Sequence, residues 1–162
     1  QKTHEQFVKE YLSDTVFMYN ATDATKISLR VKPVKVVKEE NPKNKVGRPK
    51  KGEIKEPKLP TILEQQQTMQ TTQEMLALIS TKCAVGIKQN SKGNKEVWIG
   101  GKLHISAVDG DIPITAFYSG ANVHDSSVAL PLINETSKRV NYFYDLQDAG
   151  YDSEIIRNFS KR

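Results

Sequence analysis

Apolar residues are sparse in the first half of the chain and dense from about position 75 onward, and their spacing predicts an α/β fold. Alternating apolar and polar residues over 96–108 and a second apolar stretch over 112–119 predict two strands. The tripeptide Asp-Gly-Asp at 109–111 is typical of a hairpin turn that needs positive φ angles. We therefore expect an antiparallel hairpin.

Further elements follow and precede this hairpin. Residues 126–137 have helical spacing, with Val128, Ala129, Leu132 and Ile133 on one face. The apolar stretch 140–146 predicts a buried strand beside the strand that contains Val85, and a second helix is expected from 152 onward. Residues 79–87 predict the first core strand. The order strand, strand, strand, helix, strand, helix is an α/β plan.

The region before position 79 is less regular. Residues 4–12 predict a short helix, 16–19 a short strand, 26–32 a half-exposed strand and 61–78 a helix. We divide the chain into an N-terminal segment (1–32) in a DNA-binding region, a linker (33–60) and the start of a larger domain (61–162). The linker is rich in Lys, Pro, Glu and Gly and has too few large apolar residues to fold alone.

The linker carries a candidate DNA-binding motif. Gly47-Arg48-Pro49, flanked by Lys45, Lys50 and Lys51, resembles the core of an AT-hook, whose arginine enters a narrow A·T minor groove. The alternative is a solvated basic linker. A net charge of +5 and a pI of about 9.2 favour a polyanionic partner, and we expect that partner to be double-stranded DNA.

Cysteine content and hydropathy indicate the compartment. The single cysteine excludes an intrachain disulfide and fits a reducing compartment, so we expect a cytoplasmic protein. No apolar run approaches the ~20 residues that span a bilayer, and no membrane partner is expected. The chain starts at Gln1 and stops inside a predicted helix, so we expect it to be part of a longer protein.

Four short motifs follow one another in the second half of the chain. They are Gly-Gly-Lys-Leu-His at 100–104, Asp-Gly-Asp-Ile-Pro at 109–113, Ser-Gly-Ala-Asn-Val-His-Asp-Ser at 119–126 and Asp-Ala-Gly-Tyr-Asp-Ser at 148–153. In this order they resemble bacterial insertion-sequence transposases of the DDE type, over about 47–162. The resemblance implies an RNase H-like mixed sheet with flanking helices, incomplete in this chain and preceded by a basic N-terminal arm.

The resemblance also implies the chemistry of the site. In this family two aspartates and a glutamate hold two divalent cations, Mg²⁺ or Mn²⁺, that cleave and join DNA. The second aspartate of the motif falls on Asp148, the position of the first falls on Ala84, and the glutamate would follow Arg162. With one ligand of three, we expect the chain to be inactive alone and to bind cations weakly.

Each of these residues has a simpler structural interpretation. Asp148 is equally suited to capping the helix that follows it, although we expect Asp152 to be the N-cap there. For His124 and Asp125 we expect hydrogen bonds that fix their loop.

Three other functions stay open from sequence alone. The first is a catalytically dead DNA-binding remnant, which Ala84 favours. The second is a nuclease of the same fold, and the third is a structural interaction module without a nucleic-acid role. The resemblance also allows a homodimer in a full-length protein, acting at the nucleoid of a bacterial cell.

Overall fold

The computed structural model describes residues 2–33, 59–89 and 92–161. The strands are β1 (Val16–Ser28), β2 (Ala84–Gln89), β3 (Lys95–Val108), β4 (Ile112–Gly120) and β5 (Asn141–Gln147). The α-helices are α1 (Lys2–Phe7), α2 (Ile62–Gln67), α3 (Thr72–Ala77), α4 (Ala129–Thr136) and α5 (Glu154–Ser160). A π-helical turn and two 3₁₀ turns complete the regular structure of these segments, at Val8–Leu12, Asp125–Val128 and Ala149–Tyr151.

In the described part of the chain, five strands form one mixed sheet in the order β2-β3-β1-β5, with β4 also paired to β3. The long strand β3 pairs with β1 along one side and, on its other side, with β2 over its first half and β4 over its second half. These pairs are antiparallel, whereas β1 and β5 are parallel. The predicted α/β class is therefore confirmed.

The predicted hairpin is also confirmed. β3 and β4 are antiparallel, and Val108 pairs with Ile112 across the turn. Gly110 has a φ of 79° and Asp111 a φ of 60°, as the turn sequence requires. The carboxylate of Asp109 accepts hydrogen bonds from the backbone N–H groups of Met18 (2.6 Å) and Tyr19 (3.2 Å), which fixes the turn to the start of β1.

β1 differs from the prediction, because residues 16–19 and 26–32 are not two separate strands. One continuous strand of 13 residues runs through both regions and ends at Ser28. The hydropathy pattern hid the middle of this strand because its inward-facing residues, Asn20 and Thr22, are polar. Asn20 is completely buried and donates a hydrogen bond of 2.8 Å to Asp145 on β5.

β2 and β5, which the sequence predicts as core strands, both lie at edges of the sheet in the described segments. β2 begins only at Ala84, and Ile87 on it is 65% exposed. β5 is correctly placed along the chain by the prediction, but it is not buried, since Phe143 is 70% exposed. The apolar residues of both segments correctly predict that they are strands, but the prediction that these strands are buried is wrong.

The helices are found at the predicted positions, but three of the predicted helices are divided. The segment 4–12 is covered by α1 and the π-helical turn Val8–Leu12, and the segment 126–137 by the 3₁₀ turn Asp125–Val128 and α4. The helix predicted over 61–78 is two helices, α2 and α3, and each begins with a capping box. In each box, the side chains of a threonine and a glutamate accept a hydrogen bond from the backbone N–H of the other residue. Pro131 lies in the first turn of α4, where its missing N–H is not needed.

The hydrophobic core lies between the sheet and the helices. α4 is its centre: Val128, which precedes it, and its Ala129, Leu130 and Leu132 are fully buried, and Ile133 is 4% exposed. Met75 of α3, Tyr151 of the 3₁₀ turn Ala149–Tyr151 and Ile156 of α5 pack against α4. None of the helices in the described segments has the length and apolar character that crossing a membrane requires.

Candidate carboxylate site

Two aspartates occupy adjacent places at the point where β1 and β5 run side by side. The two strands are parallel and remain in register as far as Thr22 and Gln147. The next residue on β1 is Asp23, and the next residue after β5 is Asp148. Both are exposed, and Asp148 keeps an extended backbone. The sheet therefore brings together two carboxylates that lie far apart in the sequence.

The position of Ala84 does not agree with the prediction. The sequence places the strand around Val85 beside β5, so that Ala84 would face Asp148. In the structure Ala84 pairs with Gly100 on β3, and both β3 and β1 lie between its strand and β5. The predicted register is wrong because the first strand of the sheet is β1, whose polar interior residues conceal it.

Sequence reasoning misses Asp23 for the same reason. Residues 20–25 read Asn-Ala-Thr-Asp-Ala-Thr, small and polar, and fall outside both predicted strands. A signal is nevertheless present, because Thr residues are enriched in strands and the alternation of small and polar residues continues through this stretch. Following that alternation places Asp23 on the face opposite Asn20 and Thr22.

Asp148 also has a structural role. It is the N-cap of the 3₁₀ turn Ala149–Tyr151, and its Oδ1 accepts a hydrogen bond of 2.9 Å from the N–H of Gly150. The predicted capping role is thus real, and the second carboxylate oxygen remains available for a ligand. The prediction that Asp152 is the N-cap of α5 is wrong: Ser153 holds that position, and Asp152 forms an ion pair with Arg157.

The loop that contains His124 and Asp125 is fixed from β3. The Nζ of Lys102 donates to the backbone oxygen of Val123 at 2.9 Å and to Oδ1 of Asp125 at 2.8 Å. His124 Nδ1 accepts from the N–H of Ser126 at 3.3 Å. The expected loop-fixing role of both residues is confirmed, and the charge of Asp125 is balanced by Lys102.

A buried polar network joins β1, β3, α4 and β5 behind the two aspartates. Asn20 donates to Asp145 and accepts from the hydroxyl of Ser106, which in turn accepts from Thr136 at 2.9 Å. The hydroxyl of Tyr142 also bonds Asp145, and burial together with this carboxylate raises the pKa of the tyrosine. Because each of these groups has partners, the network holds β1 and β5 in fixed register.

His104 lies one register position beyond Asp23, opposite Ala24. Its side chain is completely buried and its Nε2 lies 2.8 Å from the hydroxyl of Ser119. Burial is the main cause that lowers the pKa of His104 to about 4; the carboxylate of Asp125 opposes this shift, the ammonium of Lys102 adds to it, and the carboxylate of Asp23 opposes it. The imidazole is therefore neutral at pH 7.

Several buried polar atoms around this region have no hydrogen-bond partner among the described residues. Four of them belong to Thr22, Gln147, His104 and Tyr151. Thr22 and Gln147 are the register pair that precedes the two aspartates, and Tyr151 ends the turn that Asp148 caps. Unpaired buried polar groups are costly, so a ligand that formed hydrogen bonds with any of these four groups would remove part of that cost.

The donor set fits part of a divalent-cation site. Carboxylate oxygens are the hard ligands that Mg²⁺ and Mn²⁺ take, and Mg²⁺ is commonly held by one or two of them with several waters. Within 2–33, 59–89 and 92–161, no three His, Cys, Asp or Glu residues are grouped closely enough to hold a metal ion. A cation at this position would therefore take two ligands, Asp23 and Asp148, from the described residues.

A groove of about 630 Å³ runs along β5 and α5, and Asp148 lines it whereas Asp23 does not. Its lining also includes the aromatic ring of Tyr144 and the cation of Arg157. The predicted DNA-binding residues Lys45, Arg48, Lys50 and Lys51 lie outside the described residues.

Comparison with known proteins gives no relative: no protein-family model, no curated protein and no solved structure matches this chain.

Proposed function

We propose that this chain is part of a DNA transposase of the DDE type, with Asp23 and Asp148 as the two aspartates of its metal site. One observation carries the proposal: Asp23 on β1 and Asp148, the residue after β5, directly follow the last register pair of two parallel neighbouring strands. The resemblance of the sequence implies a first aspartate on the first strand and a second at the end of the fourth. β1 is the first strand, and β5 is the fourth when the short edge strand β2 is set aside.

This assignment replaces Ala84 with Asp23 as the first metal ligand. The alternative of a catalytically dead remnant was supported by an alanine at the position of the first aspartate. With Asp23 assigned to that position, this support is lost. Asp125 is not assigned as a ligand, because Lys102 already neutralises it. The resemblance implies that the third carboxylate, a glutamate, follows a further strand.

The chain's own residues have distinct roles in such a site. Asp23 and Asp148 would help to hold two divalent cations, Mg²⁺ or Mn²⁺, of which one would activate the attacking oxygen and the other would stabilise the leaving oxygen. Asn20 and Asp145 keep the two strands in register, and Gly150 orients the carboxylate of Asp148. The basic residues of the linker would bind the phosphates of double-stranded DNA, in the cytoplasm of a bacterial cell.

The proposal is tested by titrating Mn²⁺ into the chain by calorimetry. Asp23→Asn and Asp148→Asn should each weaken Mn²⁺ binding at least tenfold, since each removes a charged oxygen ligand. Asp111→Asn is the matched control, because Asp111 is exposed in the hairpin turn, where asparagine tolerates its positive φ. Equal affinity in the original protein and both site variants would rule out the assignment.

A further inference from the structure

Tyr151 stands out among the residues around the two aspartates. Its side chain is only 3% exposed, and its ring packs in the cluster formed by Met75, Leu130, Ile133 and Ile156. Its hydroxyl has no hydrogen-bond partner among the described residues. A buried hydroxyl without a partner costs about 1–3 kcal/mol, so a ligand that formed a hydrogen bond with it would recover that cost.

The position of the tyrosine is set by the turn that carries it. Asp148 caps the 3₁₀ turn Ala149–Tyr151, so the tyrosine lies one short turn after the carboxylate. Burial raises the pKa of the Tyr151 hydroxyl well above its usual range. Nearby carboxylates raise the pKa further, those of Asp125, Asp23 and Asp148. The hydroxyl therefore keeps its proton at any physiological pH and is a donor in the field of three carboxylates.

Two tyrosines on β5 differ from Tyr151. Tyr142 is partly buried, and its hydroxyl bonds Asp145 and Asn20. Tyr144 is 63% exposed, so water satisfies its hydroxyl. Tyr151 alone among these three combines burial, an unpaired donor and proximity to the two aspartates.

We propose that Tyr151 is a positioning residue of the carboxylate site, and that its hydroxyl donates a hydrogen bond to a water on a divalent cation held by Asp23 and Asp148. This inference rests on the proposed function. Mg²⁺ and Mn²⁺ keep several waters when one or two carboxylates hold them, and those waters need acceptors or donors in the protein. Outer partners of this kind change metal affinity by about 10–100-fold.

The test uses Tyr151→Phe, which removes the hydroxyl and keeps the ring. Without metal, this variant should be at least as stable to thermal unfolding as the original protein, because it deletes an unsatisfied polar group. Its affinity for Mn²⁺, measured by calorimetry, should fall about tenfold. A purely structural tyrosine would not move the affinity.

Tyr11→Phe is the matched control, because Tyr11 is 68% exposed and lies in the N-terminal π-helical turn Val8–Leu12. It should leave both the unfolding temperature and the Mn²⁺ affinity unchanged. If Tyr151→Phe binds Mn²⁺ as tightly as the original protein while Asp148→Asn does not, the proposed positioning role of Tyr151 is wrong. The proposed metal site of Asp23 and Asp148 is then retained. If Asp23→Asn and Asp148→Asn also bind normally, the proposed function fails together with this inference.

Discussion

Thr22 on β1 and Gln147 on β5 are register partners on parallel strands, and each is followed by an aspartate. A sequence motif locates Asp148, but local sequence does not show that Asp23 lies beside it. Asp23 needs β1 to be continuous, and Asp148 needs β5 to run beside β1 and not beside β2. The relationship between these two strands is therefore the basis of the functional assignment.

The first prediction concerns Ala84. Ala84→Asp should leave Mn²⁺ affinity unchanged, because β3 and β1 separate its strand from β5 and a carboxylate there does not reach Asp148. Calorimetric titration of Mn²⁺ into this variant and the original protein makes the comparison. Tighter binding in Ala84→Asp would mean that β2 lies close to β5, which contradicts the strand order β2-β3-β1-β5.

The second prediction concerns the pH dependence of stability. The pKa of His104 is about 4 in the folded protein, below its unfolded value of about 6.5, because the ring is buried. Between these two values the unfolded state binds a proton that the folded state does not, so stability falls as pH drops through 6.5 toward 4. At pH 5 the loss from this residue is about 2 kcal/mol.

The measurement is urea unfolding at pH 7 and pH 5 for the original protein and His104→Gln. Carboxylates contribute to the pH dependence of both proteins, so the decisive quantity is the difference between them. The original protein should lose about 2 kcal/mol more than the variant. Equal losses would mean that His104 is protonated in the folded protein.

The sequence predicts most helices and strands well, but it predicts poorly which strands lie next to each other in the sheet. The hairpin of β3 and β4, the helix α4 and the strand β5 are found because their apolar spacing is clear and the turn at Gly110 has a distinct signature. Which strand lies beside β5 depends on long-range pairing, and no local pattern contains that information.

The candidate site is found only in part. Asp148 is located through the motif that contains it, whereas Asp23 is missed because the buried residues of β1 beside it are polar. Asn20 and Thr22 lie inside because β5 and β3 supply partners such as Asp145 and Ser106. A buried polar strand cannot be distinguished from a loop until those partners are known.

The third prediction concerns packing of the single tryptophan. A Cβ added at Gly86 would overlap the ring of Trp98, which packs across β2. Gly86→Ala should therefore lower the free energy of unfolding by about 1–3 kcal/mol. Urea unfolding followed by Trp98 fluorescence measures this.

Val85→Ala is the control for that experiment, since Val85 neighbours Gly86 but is 43% exposed. Its effect should stay within about 0.5 kcal/mol. A Gly86→Ala variant as stable as the original protein would contradict the packing of Trp98 against this strand.

The fourth prediction concerns DNA binding by the basic linker. Changing Lys45, Arg48, Lys50 and Lys51 together to Gln should weaken binding to A·T-rich duplex DNA and reduce its salt dependence. Each lost phosphate contact lowers the slope of log K against log salt by about 0.9. Fluorescence anisotropy over a series of salt concentrations measures both effects.

The control carries the same change of charge elsewhere: Lys9, Lys82, Lys88 and Lys161, all exposed, are changed to Gln. If both sets of substitutions weaken binding equally, the contribution is general charge and not the linker motif.

The most direct test of the metal site locates a bound cation by paramagnetic broadening. Substoichiometric Mn²⁺ is added to ¹⁵N-labelled protein, and the loss of each backbone amide signal is measured. A site formed by Asp23 and Asp148 predicts that signals from residues 22–24 and 147–151 disappear first, and that Asp148→Asn abolishes this loss. Broadening centred on residues around Ala84, or no localised broadening at all, would contradict such a site.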